Sequence, residues 1–492
     1  MGNSKHTGLI LQKLWRRRFQ SSAERKAPTD EKSGVFRQIC ASNCRASLEE
    51  KLKTKLARES GSISIYRVPT NMREVEPKAF DPNIISIGPY HHGVPRLQAM
   101  EELKLQYFGR LLDPSRQNVV KLETLKEAMK KSEQEARSCY SENLGLCSDK
   151  FVEIMVLDGC FIIEFFRDLM KHKFKRGSVV IENWKLPIIR RDLIMLENQL
   201  PLSVLCKLFE LTSSDITPTI PSLQELALRY FDPLMPRSSK ALEQSISAAK
   251  KEKTEHFLDL FRTSILPERL SRGKEPCMFR SMTELKEAII KIKKEADCQP
   301  LDLSFKGRVL KIPPLYINDY RGTLFRNLVA LEQCHPTREP DIMTYLFFLD
   351  RLINSAKDVE LLHYAEVIQH SLGSNKEVAK LVNSLCRELA RDYDKSYLHE
   401  VIGNIDGHCK KRHTVWIATL KHNYFNNWWA GMSTIAAVFL LYLTLLQTFY
   451  GFVDAQEPLN ESMKTTHFWR VLWKSITPYS SSPGANENPK DH

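Results

Sequence analysis

The sequence lacks the short motifs that identify common enzyme classes. It contains no G-x-S-x-G turn, no glycine-rich phosphate loop and no H-E-x-x-H pair. Its eleven cysteines include no C-x-x-C pair, so neither a zinc ribbon nor a dithiol redox centre is indicated, and reduced cytosolic thiols are expected. No fixed-period repeat is present. We therefore predict no catalytic residue, no cofactor and no enzymatic activity.

The N-terminus also lacks a secretory signal, because the apolar stretch 9–14 is too short and Lys13 interrupts it. The opening Met1-Gly2 resembles a myristoylation site, but His6 stands where serine or threonine is required. The first 23 residues contain no acid and include three consecutive arginines, which also fits an organellar transit peptide. We favour a flexible basic leader over residues 1–45.

The overall charge is basic, with 72 lysines and arginines against 59 acids, a net charge of +13. Such an excess suits either nucleic acid or an anionic membrane surface. The cations are interspersed with acids, as in 121–131, and form no patch interleaved with aromatic residues. The basic run Lys410-Lys411-Arg412 suits an anionic membrane surface better. We expect no nucleic-acid partner, and a basic nucleic-acid-binding protein is kept as an alternative.

One long hydrophobic run is present near the C-terminus, where residues 423–453 contain no charged side chain. As a helix, 429–453 would extend ~37 Å at ~1.5 Å per residue, enough to cross a ~30 Å hydrocarbon layer. Trp428 at one end and Tyr450 at the other suit the two membrane interfaces. We predict a transmembrane helix over 429–453 and a short tail over 454–492, with a buried core helix as the alternative.

The charges that flank this run predict its orientation. Cations precede it and acids follow it immediately: Lys410, Lys411, Arg412 and Lys421, then Asp454, Glu457 and Glu461. The positive-inside rule places the long N-terminal part in the cytosol. The glycosylation sequon at Asn460 could be used only in that topology. We predict a single-pass protein of the plasma membrane, with the lipid bilayer as a partner.

The rest of the chain, 46–425, has mainly helical periodicity and predicts one large helical domain with minor β hairpins. The nearly apolar stretch 151–170 is interpreted as a core helix with one wet edge, and not as a second membrane span. Residues 191–200 are predicted to form another helix. Alternating apolar residues around a Lys306-Gly307 turn predict a hairpin over 301–312. The proline-containing stretches 218–221 and 233–239 frame a predicted surface region, and we interpret 234–280 as a variable insertion.

Two histidine clusters are candidates for metal binding. His91 and His92 have no cysteine or carboxylate nearby at ligand spacing, so a packed turn is the simpler interpretation. His408, Cys409 and His413 surround three cations, which would repel a metal ion. We predict no metal site.

Two further segments contain reactive or polar groups. Cys160 follows Asp158, a carboxylate that would raise the pKa of the thiol, so a structural cysteine is expected. Glu197-Asn198-Gln199 could form a binding site, but polar side chains at a predicted helix end more often tie down a turn. An enzyme of unfamiliar type is kept as an alternative, and it would bring Asp158, Glu197 and His91 into one pocket.

Several distinctive segments follow one another along the chain. They read IYRVP at 65–69, PNIISIGPYHHG at 82–93, MEELK at 100–104, LDGCF at 157–161, DLIMLENQLP at 192–201, FRNLVALEQC at 325–334 and NNWW at 426–429. In this order they resemble the plant-specific domain-of-unknown-function 247 family over 62–453. The family more often has isoleucine where this chain has Leu200.

This resemblance implies a plant membrane protein without an accepted catalytic site. Some grass members of the family lie at self-incompatibility loci and look like pollen determinants. We therefore expect recognition or signalling through contacts with other proteins, and no small-molecule substrate. Kinship with those determinants is the narrower form of this expectation.

Overall fold

The computed structural model describes residues 63–114, 120–172, 181–213, 221–268, 271–275, 280–390, 393–411 and 428–454. The predicted leader, the sequon at Asn460 and His413 lie outside these residues. The chain divides into two units. The first contains the described residues up to 408 except 287–289, and the second contains 287–289 and the residues from 409 onward.

Helices dominate the described residues, which confirms the predicted mainly helical class. In chain order they are α1 Thr70–Val75, α2 Ala99–Leu111, α3 Leu122–Lys131, α4 Glu133–Ser138, α5 Ser148–Lys171, α6 Leu186–Asp192, α7 Leu202–Thr212, α8 Leu223–Phe231, α9 Ser239–Ala249, α10 Phe257–Ile265, α11 Met282–Glu287, α12 Arg321–Cys334, α13 Asp341–Leu352, α14 Ala356–Tyr364, α15 Asn375–Leu385, α16 His399–Cys409 and α17 Trp428–Asp454. Serines begin several of them. The Ser374 hydroxyl, for example, accepts a hydrogen bond from the Glu377 amide at the start of α15.

Helix α5 forms the centre of the first unit and packs against α2, α3, α7 and α8. Most of its residues are buried, and Arg167 pairs with Glu164 at 2.9 Å on its wetter edge, so the predicted core helix is confirmed. Phe165, Phe166, Tyr230 and neighbouring rings pack with centroids 5.3–5.9 Å apart, distances at which aromatic rings attract one another. The absence of a side chain at Gly159 brings α5 and α7 together. A methyl group there would lie 2.4 Å from Leu208.

Two small sheets complete the unit. The first joins β1 Lys291–Lys294, β3 Val309–Ile312 and β2 Ser304–Lys306 in that order, with β1 parallel and β2 antiparallel to β3. The pairing of Lys306 with Val309 confirms the predicted hairpin, but its turn is Gly307-Arg308 and its first strand begins at Ser304 rather than Leu301. Gly307 supplies the positive φ of 66° that this turn requires. The second sheet pairs β4 Leu315–Ile317 in parallel with β5 Ile368–His370.

Two sequence-based expectations need correction. The helix predicted over 191–200 is wrong, because α6 ends at Asp192 and turns follow it. The side chains of Asn198 and Gln199 bind backbone carbonyls in this stretch, in competition with helical hydrogen bonds. The stretch 234–280 is not a surface loop throughout, since it contains α9 and the deeply buried α10. Its sequence variability stays a prediction.

The second unit contains helix α17. Among the residues that the structure describes, Met432–Gly451 is the one stretch of helix that is long and apolar enough to cross a membrane, judged by length and composition. None of that stretch is buried against protein. The alternative of a buried core helix therefore has no support in the structure.

Candidate functional site

The turn-rich segment 82–93 is held by side chains from distant parts of the chain. The Asp192 carboxylate, at the end of α6, accepts hydrogen bonds from the backbone amides of Asn83 and Ile84 at 2.9 and 2.8 Å and from that of Ile85 at 3.2 Å. These amides belong to no helix or strand, and buried donors need a partner. Burial raises the pKa of Asp192, while the amide hydrogen bonds act in the opposite direction. The Asp192 carboxylate therefore accepts the hydrogen bonds that these amides would otherwise donate to a neighbouring strand.

Asn198 and Gln199, a few positions further along the chain, continue this support. The Asn198 Oδ1 accepts from the Ile87 amide at 2.6 Å, and its Nδ2 donates to the Ile85 carbonyl at 3.1 Å. The Gln199 Oε1 accepts from the Leu258 amide at 3.2 Å. The predicted function of these side chains, tying down a turn, is confirmed.

A buried ion pair lies below the same segment. The Lys104 ammonium is fully buried and lies 2.6 Å from Asp158 Oδ1 and 2.7 Å from Glu101 Oε1. The other Asp158 oxygen accepts from the Gly88 amide at 2.8 Å. Burial raises the pKa of Asp158, and Lys104 acts in the opposite direction. Removing one partner of such a pair would leave an uncompensated buried charge.

Gly88 itself permits this close approach. Its φ is +73°, and a methyl group at its Cα would lie 2.6 Å from the Gln199 carbonyl oxygen. Glycine adopts such a backbone conformation without steric cost. The backbone at Gly88 can therefore lie in direct contact with the backbone at Gln199.

Glu197 is a buried carboxylate of the same region that pairs with two arginines. Its oxygens accept from the Val68 amide at 2.7 Å and from the guanidinium groups of Arg67 and Arg73 at 2.8 and 2.5 Å. Burial opposes its ionisation. The adjacent His91 ring, the Val68 amide and the arginines outweigh burial and lower the pKa of Glu197 to about 2. The group is thus a fixed anion at neutral pH.

The candidate metal ligands do not gather. His91 Nε2 lies 3.4 Å from Glu197 Oε2, and His408 packs against the Phe305 ring. Among the described residues, no group of three histidines, cysteines or acids is placed to hold a metal ion. The packed turn is the arrangement that the structure supports for His91 and His92.

Cys160 is buried in α5. Burial raises the pKa of its thiol to about 12, and the neighbouring Glu164 adds to the effect. The expected structural cysteine fits this environment, but the carboxylate responsible is Glu164 and not Asp158. One helical turn separates Glu164 from Cys160 along the same face.

Sequence reasoning missed a second polar group that links the two halves of the unit. The Asn327 side chain of α12 accepts from the Leu196 amide at 2.9 Å and donates to the Ala79 carbonyl at 2.8 Å. Glu332, also on α12, lies 2.7 Å from the Arg262 guanidinium, and burial raises its pKa to about 7. Both residues belong to the FRNLVALEQC segment, which the sequence analysis used only for the family resemblance and to which it assigned no structural role.

Taken together, these groups hold loops in place. Asp158 binds Lys104 and a backbone amide, whereas Glu197 binds two arginines and a different amide. Of the three residues proposed for an enzyme pocket, Glu197 and His91 lie 3.4 Å apart, while Asp158 pairs with Lys104.

Comparisons with known proteins give the family. The family model for DUF247, described as a plant protein of unknown function, matches residues 65–443. The chain is 28% identical to the UPF0481 protein At3g47200 of Arabidopsis thaliana, over 79% of this chain and 86% of that protein. It is 24% identical to a second Arabidopsis UPF0481 protein, At3g02645, over 80% of this chain and 90% of that protein. No solved structure matches this chain at a significant level. The chain belongs to the plant DUF247 family.

Proposed function

We propose that this chain is a single-pass membrane protein whose helical domain recognises other proteins. The observation that supports the anchor is the surface of α17, where Ile435, Val438, Phe439, Leu440 and Leu441 are each 58–64% exposed. Apolar area of this kind is stabilised when it leaves water, by roughly 25 cal/mol per Å². A bilayer is the environment that would cover such a helix on all sides.

Two hydroxyl groups of α17 are compatible with lipid. The hydroxyls of Thr444 and Thr448 donate to the carbonyls of Leu440 and Thr444 at 2.8 Å. A hydroxyl bonded to its own helix needs no water, and a helix already satisfies its backbone groups. The cations at Lys410 and Lys411, with acids beyond the helix, support a cytosolic N-terminal domain.

The recognition role is supported by how the domain uses its polar residues. The carboxylates of Asp158, Asp192 and Glu197 are committed to backbone amides and buried cations, which favours a rigid binding scaffold over a catalyst. Kinship with grass pollen self-incompatibility determinants, at the plasma membrane, is the narrower form of this proposal and rests on the family resemblance.

Carbonate washing of membranes tests the anchor. The tagged full-length protein should stay in the membrane pellet, and a Leu441→Arg/Leu445→Arg variant should move to the supernatant, because each arginine at mid-membrane costs about 3 kcal/mol. A Leu441→Ile/Leu445→Ile variant is the matched control and should stay in the pellet. Wild-type protein released by the wash would contradict the anchor.

The orientation and the partners need separate measurements. In sealed vesicles with the cytosolic face outward, protease should remove an N-terminal tag and spare a C-terminal one. Proximity labelling in plant tissue should then identify cytosolic proteins that are enriched with the wild type over the Leu441→Arg/Leu445→Arg variant. Protection of the N-terminal tag would reverse the proposed topology.

A further inference from the structure

The largest cavity that we describe in the first unit has a volume of about 590 Å³. It opens between the chain around Lys78, the start of α12 and one face of α15. This volume is within the range of roughly 300–1,000 Å³ typical of small-molecule sites. Asn83 is the one polar residue described above around segment 82–93 that also lines this cavity.

The lining is rich in cations. Five basic and three acidic side chains line the cavity, which leaves a local charge of +2. The acidic residues are Glu76, Asp319 and Glu377, and the basic residues are Lys78, Arg191, Arg326, Lys380 and Arg387. Within the described part of the chain, none of the five forms an ion pair. One of the acids, Glu377, accepts a hydrogen bond from the Gly373 amide at 2.9 Å. Cations without an ion-pair partner around a concave surface concentrate positive potential there.

Two of the arginines are held in place by the protein. Arg326 Nη2 donates to the Ser384 hydroxyl at 3.0 Å, and burial lowers the pKa of its guanidinium. The Arg191 guanidinium lies 4.3 Å from the centre of the Tyr320 ring, and its Nε is buried without a hydrogen-bond partner. Both groups are therefore positioned in advance, while part of their hydrogen-bonding capacity is unused.

A second cavity of about 270 Å³ provides the contrast. It is also lined by arginines, yet each of them is neutralised. Arg262 and Arg272 lie 3.0 and 2.9 Å from Asp341, and Arg338 lies 2.6 Å from Asp259. In that cavity the arginines stabilise the fold. In the larger one, the repulsion among unpaired cations would be relieved by a bound anion.

We propose that the larger cavity binds a ligand that carries clustered phosphate groups, either a free phosphorylated polyol or the phosphorylated headgroup of a lipid. Guanidinium groups match phosphate oxygens in a bidentate geometry, and lysines add point charges. Several phosphates are required to engage cations from α12, α15 and the Lys78 segment together. The exposed Tyr320 ring would contact the carbon skeleton between them.

Calorimetric titration of inositol hexakisphosphate into the full-length protein tests this proposal, with the protein in phosphatidylcholine nanodiscs. The informative variant is Lys380→Gln/Arg387→Gln, because both side chains are exposed and their loss leaves the core intact. It should bind at least about tenfold more weakly than the wild type, or ~1.4 kcal/mol. The matched control is Lys293→Gln/Lys306→Gln, which removes the same charge from the exposed faces of β1 and β2 and should change affinity less than about twofold.

Adding phosphatidylinositol bisphosphate to the nanodiscs distinguishes the two sources of phosphate. Weaker binding of the soluble probe, absent with phosphatidylserine at equal charge, would identify a lipid headgroup as the occupant. Unchanged binding would identify a soluble ligand. No measurable binding to the wild type, or an equal loss in both double variants, would overturn the proposal.

Discussion

Replacement of Glu197 by glutamine removes the charge that ties together the Arg67 and Arg73 side chains. Glutamine keeps an oxygen for the Val68 amide but offers no anion to the guanidinium groups 2.8 and 2.5 Å away. One pH unit of pKa change corresponds to ~1.4 kcal/mol. Lowering the pKa of this buried carboxyl from 4.5 to about 2 therefore stabilises the folded state by about 3 kcal/mol at neutral pH.

The direction of the pKa shift determines how the stabilisation by Glu197 changes with pH. Because the folded-state pKa lies below the unfolded one, the stabilisation is fully present above pH 4.5 and is lost as the pH falls from 4.5 through about 2. Glu197→Gln should lower the free energy of unfolding by about 3 kcal/mol at pH 7. The difference from the wild type should shrink over that acidic interval.

Urea denaturation of the detergent-solubilised full-length protein, followed by circular dichroism, measures this effect at each pH. The matched control is Glu142→Gln, since Glu142 pairs with the same Arg67 at 3.4 Å but is 56% exposed; it should cost less than about 1 kcal/mol. Equal losses for the two variants would refute the reasoning. So would a gap between Glu197→Gln and wild type that is the same at pH 2 and pH 7.

Three further changes test local geometry. Gly88→Ala should destabilise the fold by at least about 2 kcal/mol, through backbone strain at φ +73° and a 2.6 Å contact. Gly93→Ala, at φ +80° with open space around it, should cost about 1 kcal/mol. Equal shifts in the melting temperatures of the two variants would contradict this. Gly159→Ala should lower the melting temperature because its methyl group meets a leucine at 2.4 Å, whereas Gly407→Ala, in open space on α16, should raise stability by up to about 1 kcal/mol. Cys160 should resist iodoacetamide in the native protein and react after unfolding, because burial raises its pKa to about 12; mass spectrometry that finds it labelled in native protein would disprove this.

The features that could be predicted from sequence are those written in local patterns. The apolar period of α5 and the alternation on either side of Lys306-Gly307 depend on residues a few positions apart, and both predictions are confirmed. The helix predicted over 191–200 failed for a tertiary reason. Its polar residues bind backbone groups elsewhere, as Asn198 binds Ile85 and Ile87, which no helical period can reveal.

The polar cluster could be anticipated only in part. The motif Glu197-Asn198-Gln199 indicated a tied turn, but its partners lie far away along the chain. Asp192 and Asn83 are separated by 109 positions. Lys104 belongs to a segment noted only for its resemblance to the family, and its full burial beside Asp158 could not be read from its neighbours. The cavity cations are likewise dispersed from Lys78 to Arg387, and only the fold brings them together.

The bridge made by Asn327 has a consequence for how the protein is made. This side chain joins the Ala79 carbonyl, 248 positions earlier, to the Leu196 amide. During synthesis, the hydrogen bonds of Asn327 with the Ala79 carbonyl and the Leu196 amide cannot form until α12 has left the ribosome. Contacts of such sequence separation slow folding, and unfinished helical surfaces stay exposed to aggregation meanwhile. The N-terminal half therefore needs the later part of the chain to reach its final packing, and chaperone demand should be greatest while that part is being translated.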